Sequence, residues 1–304
     1  MAQWQPDRKV FQSPALHIAK PLPIILMKRL IYIFLMLIPF LGQSQNTVDE
    51  LLLKAEEKQN RLPELISIYY KVLELDSCNY EALLGQGKAY YSRWKILGRV
   101  DKIYLDSAYI QFNKACNVQN VDYRAFIVRG DYYSDFEYFQ EAFDDFSTAI
   151  KIAPEQYYIR FRRALIYMRW QDYENAMIDL NLYINNYQDI YDNIYILRAK
   201  CFANLKMFPD CRKDVEKALS INPKANENIL ALADYYAITG QYKKAINKYS
   251  FIINRNNVFA IAYLKRGSVF YAIDEKEKAK NDWDTALAKG IPVNERSKKI
   301  KFGK

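Results

Sequence analysis

Nucleophilic triads and many transition-metal sites depend on imidazole, and the chain carries a single histidine, His17. It lies ahead of an apolar leader-like stretch, so the bulk of the chain can build neither a Ser-His-Asp or Cys-His relay nor a His-ligated metal site. The cysteines, Cys78, Cys116, Cys201 and Cys211, lack the paired CxxC spacing of a zinc site. Cys78 precedes one expected helix and Cys116 nears the end of its antiparallel mate, which leaves two outcomes open: a disulfide, if the Cα atoms lie within about 7 Å, or two free thiols. Asp144 and Asp145 are helical neighbours that point in different directions, and Asp172 with Glu174 sits at a turn. Adjacent helical residues do not share a face, so these carboxylates are expected on solvated surfaces and not as an acid–base pair. No Gly-rich phosphate loop is present, and Gly240 in AITGQYKKA marks a turn between helices. A non-catalytic protein without metal or cofactor is expected.

Charge narrows the partner class. A net charge of +9 would suit nucleic acid or an anionic surface. Nearly all of it sits at the two ends, however. Residues 1–45 hold Arg8, Lys9, Lys20, Lys28 and Arg29 against Asp7, and the tail NERSKKIKFGK (294–304) holds its cations against Glu295. What lies between is close to neutral and has no basic stripe, so nucleic acid is not an expected partner. The basic tail suits a weak contact with an anionic surface.

The stretch MKRLIYIFLMLIPFLGQSQ (27–45) has a basic start, an apolar run from Leu30 to Leu41 and small residues before Gln45. That is the layout of a secretory signal peptide. The run falls short of the ~20 residues a spanning helix needs. Residues 1–26, with Pro6, Pro14, Pro21 and Pro23, read as an upstream extension or a misassigned start. Export is therefore expected, to the periplasm or envelope if the source is bacterial.

The elements that must position any site announce themselves by repetition. In AFDDFSTAIKIAP (142–154) small residues flank an aromatic and the phrase stops on Pro154; the small slot recurs at Ala108, Ala142, Ala176, Cys211, Ala245 and Ala279, at steps of 34, 34, 35, 34 and 34 residues. Cys211 stands there in place of Ala. A second series, Gly130, Ala164, Ala199, Ala233 and Gly267, keeps the same period, with an aromatic three residues beyond each: Tyr133, Tyr167, Phe202, Tyr236 and Phe270. One small-faced helix followed by another, once per period, predicts helical hairpins that stack on copies of themselves.

This order of Gly or Ala, Tyr, Ala, aromatic, Ala and a late Pro resembles the tetratricopeptide repeat. The resemblance implies an all-α, right-handed α-solenoid of stacked helix-turn-helix repeats over 46–293. Its units are 46–79 (degenerate), 80–122 (with an insertion), 123–156, 157–191, 192–225, 226–259 and 260–293. The insertion SRWKILGRVDKIYLDS stretches Gly87 to Gly130 to 43 residues and is expected to lengthen or split its hairpin. Arg160, in the slot of the family's first-helix Trp, must snorkel or pair. The 26 tyrosines read mainly as inter-helix filler with hydroxyls reaching water.

By the same resemblance the first helices line a concave groove, whose inward residues are Lys88, Tyr91, Arg124, Asp131, Asp135, Tyr158, Phe161, Arg169, Lys200, Asn204, Asp234 and Tyr271. Aromatic area with Lys and Arg suits a peptide or helix of a protein partner. The slots with which family members grip a terminal carboxylate are mixed here, holding Lys88, Asp131, Leu165, Lys200 and Asp234, which argues against that mode. The expected function is a protein–protein interaction scaffold of the cell envelope. The alternative is glycan or cell-wall polymer binding through exposed Trp94 and Trp170.

Overall fold

A computed structural model describes residues 45–188 and 190–291. The leader at 27–44, the upstream extension and the basic tail from 294 lie outside the described residues. All regular structure among those described is helical. The chain divides into two compact units, one ending at Ala82 and one beginning at Leu83.

In the first unit, α1 (45–57) and α2 (Leu62–Leu75) form a helical pair. Val48, Val72 and Ala82 make its core, with Leu51, Leu52, Tyr69 and Leu73 packed against them.

The second unit takes up most of α3 (Tyr80–Ile96), then α4 (Lys102–Cys116), α5 (Tyr123–Asp135), α6 (Phe139–Ile152), α7 (Tyr158–Arg169), α8 (Tyr173–Asn186), α9 (Asp192–Asn204), α10 (Phe208–Ile221), α11 (Asn226–Ile238), α12 (Tyr242–Arg255), α13 (Ala260–Ala272) and α14 (Lys276–Ala288). The insertion lengthens its hairpin without splitting it: α3 has 17 residues where α5 has 13. Side chains of Asp101, Asp122 and Asp172 cap α4, α5 and α8 by accepting from the backbone N–H groups of Ile103, Arg124 and Asn175. Five of the turns inside a hairpin use one left-handed residue, and Glu137, Gln171, Lys206, Gly240 and Asp274 supply it at the repeat period, with φ between 59° and 75°. Only one of the five is glycine, so stacking holds the turn shape against the local preference. No helix among the described residues is long and apolar enough to cross a membrane.

The two small-residue series are the seams. Ala108, Ala142, Ala164, Ala176, Ala233, Ala245 and Ala279 are each fully buried. At three seams the facing aromatic explains the glycine, and a Cβ on Gly87 would meet the Phe112 ring at 2.7 Å. A Cβ on Gly130 would meet the Phe146 ring at 2.7 Å, and one on Gly267 would meet Trp283 at 2.8 Å. Ala164 and Ala199 lie sixteen residues before the smaller Leu180 and Val215 in the same slot. Small and large residues trade volume at those seams, whereas Ala233 faces the large Tyr249 in its own unit.

Those seams are tied by a recurring ion pair that the sequence reading missed. The Arg129 guanidinium donates to both Asp145 carboxylate oxygens at 2.8 and 2.7 Å, and its third nitrogen donates to Asn113 Oδ1 of the preceding second helix at 2.9 Å. Arg163 repeats this with Asp179 and Ser147, Arg198 with Asp214 and Asn181, and Arg266 with Asp282 and Ser250. Asp145 is therefore not on a solvated face: it is 5% exposed and pairs with Arg129. Its neighbour Asp144 is exposed, as is Glu174, and Asp172 is partly exposed. Arg160 pairs as its position requires, 3.6 Å from Asp179.

All four cysteines are free thiols, so Cys78 and Cys116 do not form the disulfide that stood as one possibility. Cys211 does take an alanine slot, 3% exposed against Val215 and Tyr235.

Candidate functional site

The first helices of the second unit, α3, α5, α7, α9, α11 and α13, face one another through polar contacts that cross from one repeat to the next. Asp135 on α5 accepts from the Tyr91 hydroxyl and pairs with Lys95 of α3 at 2.9 Å. Burial pulls its carboxyl up, but the bonds from Tyr91 and Lys95 win and hold it below the usual carboxylate range. Asp131 accepts from Arg162 of α7 at 2.8 Å. Asp234 on α11 accepts from Lys265 of α13 at 2.8 Å and from the Tyr249 hydroxyl at 2.6 Å. Burial, then the Asp234 charge, pushes the Tyr249 pKa up, so the phenol stays a donor. The three aspartates expected on this face are thus each neutralised from within the fold.

Lys200 is different. It is exposed on α9, and among the described residues its ammonium has no acidic partner. It lines a small cleft of about 40 Å³ between α9 and α11, together with Ile196, Ala203, Val215, Ala231 and Asp234. The cleft has a cause in the sequence. Ala231 stands one repeat beyond Leu197 and one before Lys265, so a large side chain is missing at that register. The same repeat lacks the Arg–Asp clamp, because Leu232 and Lys248 occupy its two slots and Glu216 the third. The Lys265–Asp234–Tyr249 group joins α11, α12 and α13 there instead.

The remaining expected residues are scattered. Lys88 is exposed on α3, and Arg124 lies 3.1 Å from Asp122 at the start of α5. Tyr158 and Phe161 are partly buried: the Tyr158 ring packs against the cluster of Ile127, Phe146 and Ile159, its backbone N–H donates to the Tyr187 hydroxyl at 3.2 Å, and the Phe161 ring lies 5.8 Å from Tyr183. Burial pushes the Tyr158 phenol up to about 12. Arg169 is at the hairpin-turn edge, 3.6 Å from Glu137 and over the Phe139 ring. The Asn204 side chain donates back to its own helix at the Lys200 carbonyl, and Tyr271 is half exposed beside Trp283. Trp94 cannot offer a face to a sugar: it is 5% exposed and stacked on Tyr91 at 5.6 Å. Across helices, Tyr91 is brought to Asp135 and Lys200 to Asp234.

Solved structures share this arrangement of stacked hairpins. A tetratricopeptide repeat protein from Parabacteroides merdae is 19% identical, with 83% of this chain and 96% of that one covered and a TM-score of 0.60. The C-terminal part of a TPR repeat-containing protein from Cytophaga hutchinsonii is 15% identical, over 80% of this chain and 96% of that one, at 0.57. The pilF protein of Pseudomonas aeruginosa is 10% identical, over 71% and 94%, also at 0.57. The chain has the tetratricopeptide-repeat fold. No family model and no curated protein matches its sequence. Identities this low carry the fold and nothing about partners. Among the described residues no cluster of His, Cys, Asp or Glu could hold a metal ion.

Proposed function

We propose that the chain is a non-catalytic interaction scaffold whose first-helix face binds an extended segment of a protein partner. The occupant best suited to it carries an acidic residue beside a small aliphatic one. The supporting observation is the unpaired Lys200 ammonium at the mouth of the apolar cleft beside Ala231, on a face whose carboxylates are already paired. A buried small side chain supplies area, and a carboxylate opposite Lys200 supplies orientation. The leader pattern at 27–45 supports export, and with it a partner of the cell envelope.

Selection of peptides from a random display library on the immobilised chain tests this. Enriched sequences are expected to pair Asp or Glu with a small aliphatic residue. Lys200→Glu and Ala231→Leu, which fills the cleft, should each weaken them by about tenfold or more, while Lys243→Glu on the second helix α12 should not. Retention of affinity by both groove variants would overturn the proposal.

A further inference from the structure

The three aliphatic residues that the described fold leaves most exposed lie at one place, the α3–α4 turn made by the insertion. Ile96, Val100 and Ile103 are 74%, 84% and 74% exposed, with Leu97 half exposed between them. Leu53, Ile178 and Val258, also exposed, lie in different parts of the chain, and a scattered exposed apolar residue is ordinary for a surface. Here they crown a protruding turn. Gly98 and Arg99 are both left-handed, and a Cβ on Gly98 would have nothing within 4 Å. Cations ring the tip. Lys102 is exposed and has no acidic partner among the described residues, and the Arg99 guanidinium lies 5.6 Å from the Trp94 ring centre. The nearest acid in sequence, Asp101, caps α4 with its charge intact, so Arg99 and Lys102 still leave the tip net positive.

The edge continues into the next hairpins. Lys95 pairs with Asp135, and Trp94 packs 5.4 Å from Phe136, which joins this turn to the α5–α6 turn. Arg169 then joins that turn to the next through Glu137. These two turns present Tyr138 and Trp170, 54% and 42% exposed. Tyr and Trp are the side chains that settle at the boundary between lipid headgroups and hydrocarbon.

We propose that this edge, separate from the first-helix face, is a contact surface for anionic phospholipid bilayers. Ile96, Val100 and Ile103 enter the headgroup–acyl boundary, and Arg99 and Lys102 sit among the phosphates. A protein interface buries aromatic and Arg anchors in a matching concavity. An aliphatic tip with open space around it has no shape to match, and a bilayer requires none. The surrounding cations select for negative headgroups, each contributing roughly fivefold in partitioning.

Co-sedimentation with phosphatidylcholine vesicles containing roughly a quarter phosphatidylglycerol tests this on the full chain, with circular dichroism confirming that each variant stays helical. Because residues 1–44 and the tail are present in every sample, the comparison between variants carries the result. The triple variant Ile96→Ser, Val100→Ser, Ile103→Ser should bind more than about tenfold more weakly. Arg99→Ser with Lys102→Ser should lose roughly twentyfold on anionic vesicles and little on pure phosphatidylcholine. Unchanged vesicle binding in the triple variant would overturn the proposal. So would a wild-type chain that ignores vesicles but forms a dimer or protein complex that the triple variant abolishes.

Discussion

Burial decides what each cysteine can do. It pushes the Cys116 and Cys211 thiols up to about 12 and Cys201 to about 11, whereas Cys78 is exposed. Because the thiolate is the nucleophile, a disulfide reagent at about pH 8 should titrate one thiol per folded chain and all four after denaturation. Only two in denaturant would mean a disulfide that the fold described here lacks. The folded state prefers the neutral thiol, so these three groups support folding below the ordinary thiol pKa of about 9 and lose that contribution as pH climbs toward their raised values. Cys211 was legible as a substitute alanine, because the period placed it in a small slot between Val215 and Ala199. Asp145 was not. One-helix reasoning about adjacent carboxylates cannot see that a guanidinium on the other helix of the hairpin reaches in to both of its oxygens.

At the scale of the helical pair, the clamps do have a sequence signature: an Arg sixteen residues ahead of an Asp at 129/145, 163/179, 198/214 and 266/282, with the 232/248 pair empty. Spacing alone did not identify it, since Lys, Arg and Asp are common on exposed helix faces. It takes the fold to show that sixteen residues separate facing positions of the hairpin. With Arg163 and Asp179 17% and 2% exposed at their side chains, removing one partner strands a buried charge. Asp179→Ala should therefore lower the unfolding free energy by about 3–5 kcal/mol in urea titration. The matched replacement Arg160→Met, Arg163→Met and Asp179→Leu, which also removes the second guanidinium on that carboxylate, should cost less than half as much, since no charge is then left unpaired. A single-variant loss below about 1 kcal/mol would show that solvent screens the clamp. The glycines were better signposted, because a small slot opposite Phe146 or Trp283 has a volume that only Gly fits.

Across the whole molecule the period was the strongest signal, and it gave the all-helical stack directly. A groove inventory taken slot by slot from a family pattern fared differently. Its residues are dispersed: Lys200 and Asp234 line one cleft, the Phe161 ring lies 5.8 Å from Tyr183, and Arg169 lies 3.6 Å from Glu137 at the turn edge. Side-chain direction depends on neighbours in the next repeat, and those pairings, Arg162 with Asp131 and Lys265 with Asp234, lie 31 residues apart, out of phase with the repeat. The cleft itself arises from one missing side chain at Ala231, a feature that shows only when the register of three first helices is known. Hydrogen–deuterium exchange with a library-selected acidic peptide bound tests most directly whether the first helices form the binding face. Slowed exchange centred on α9 and α11 and absent from α10 and α12 is predicted; protection on the second helices, or none on α9, would contradict it.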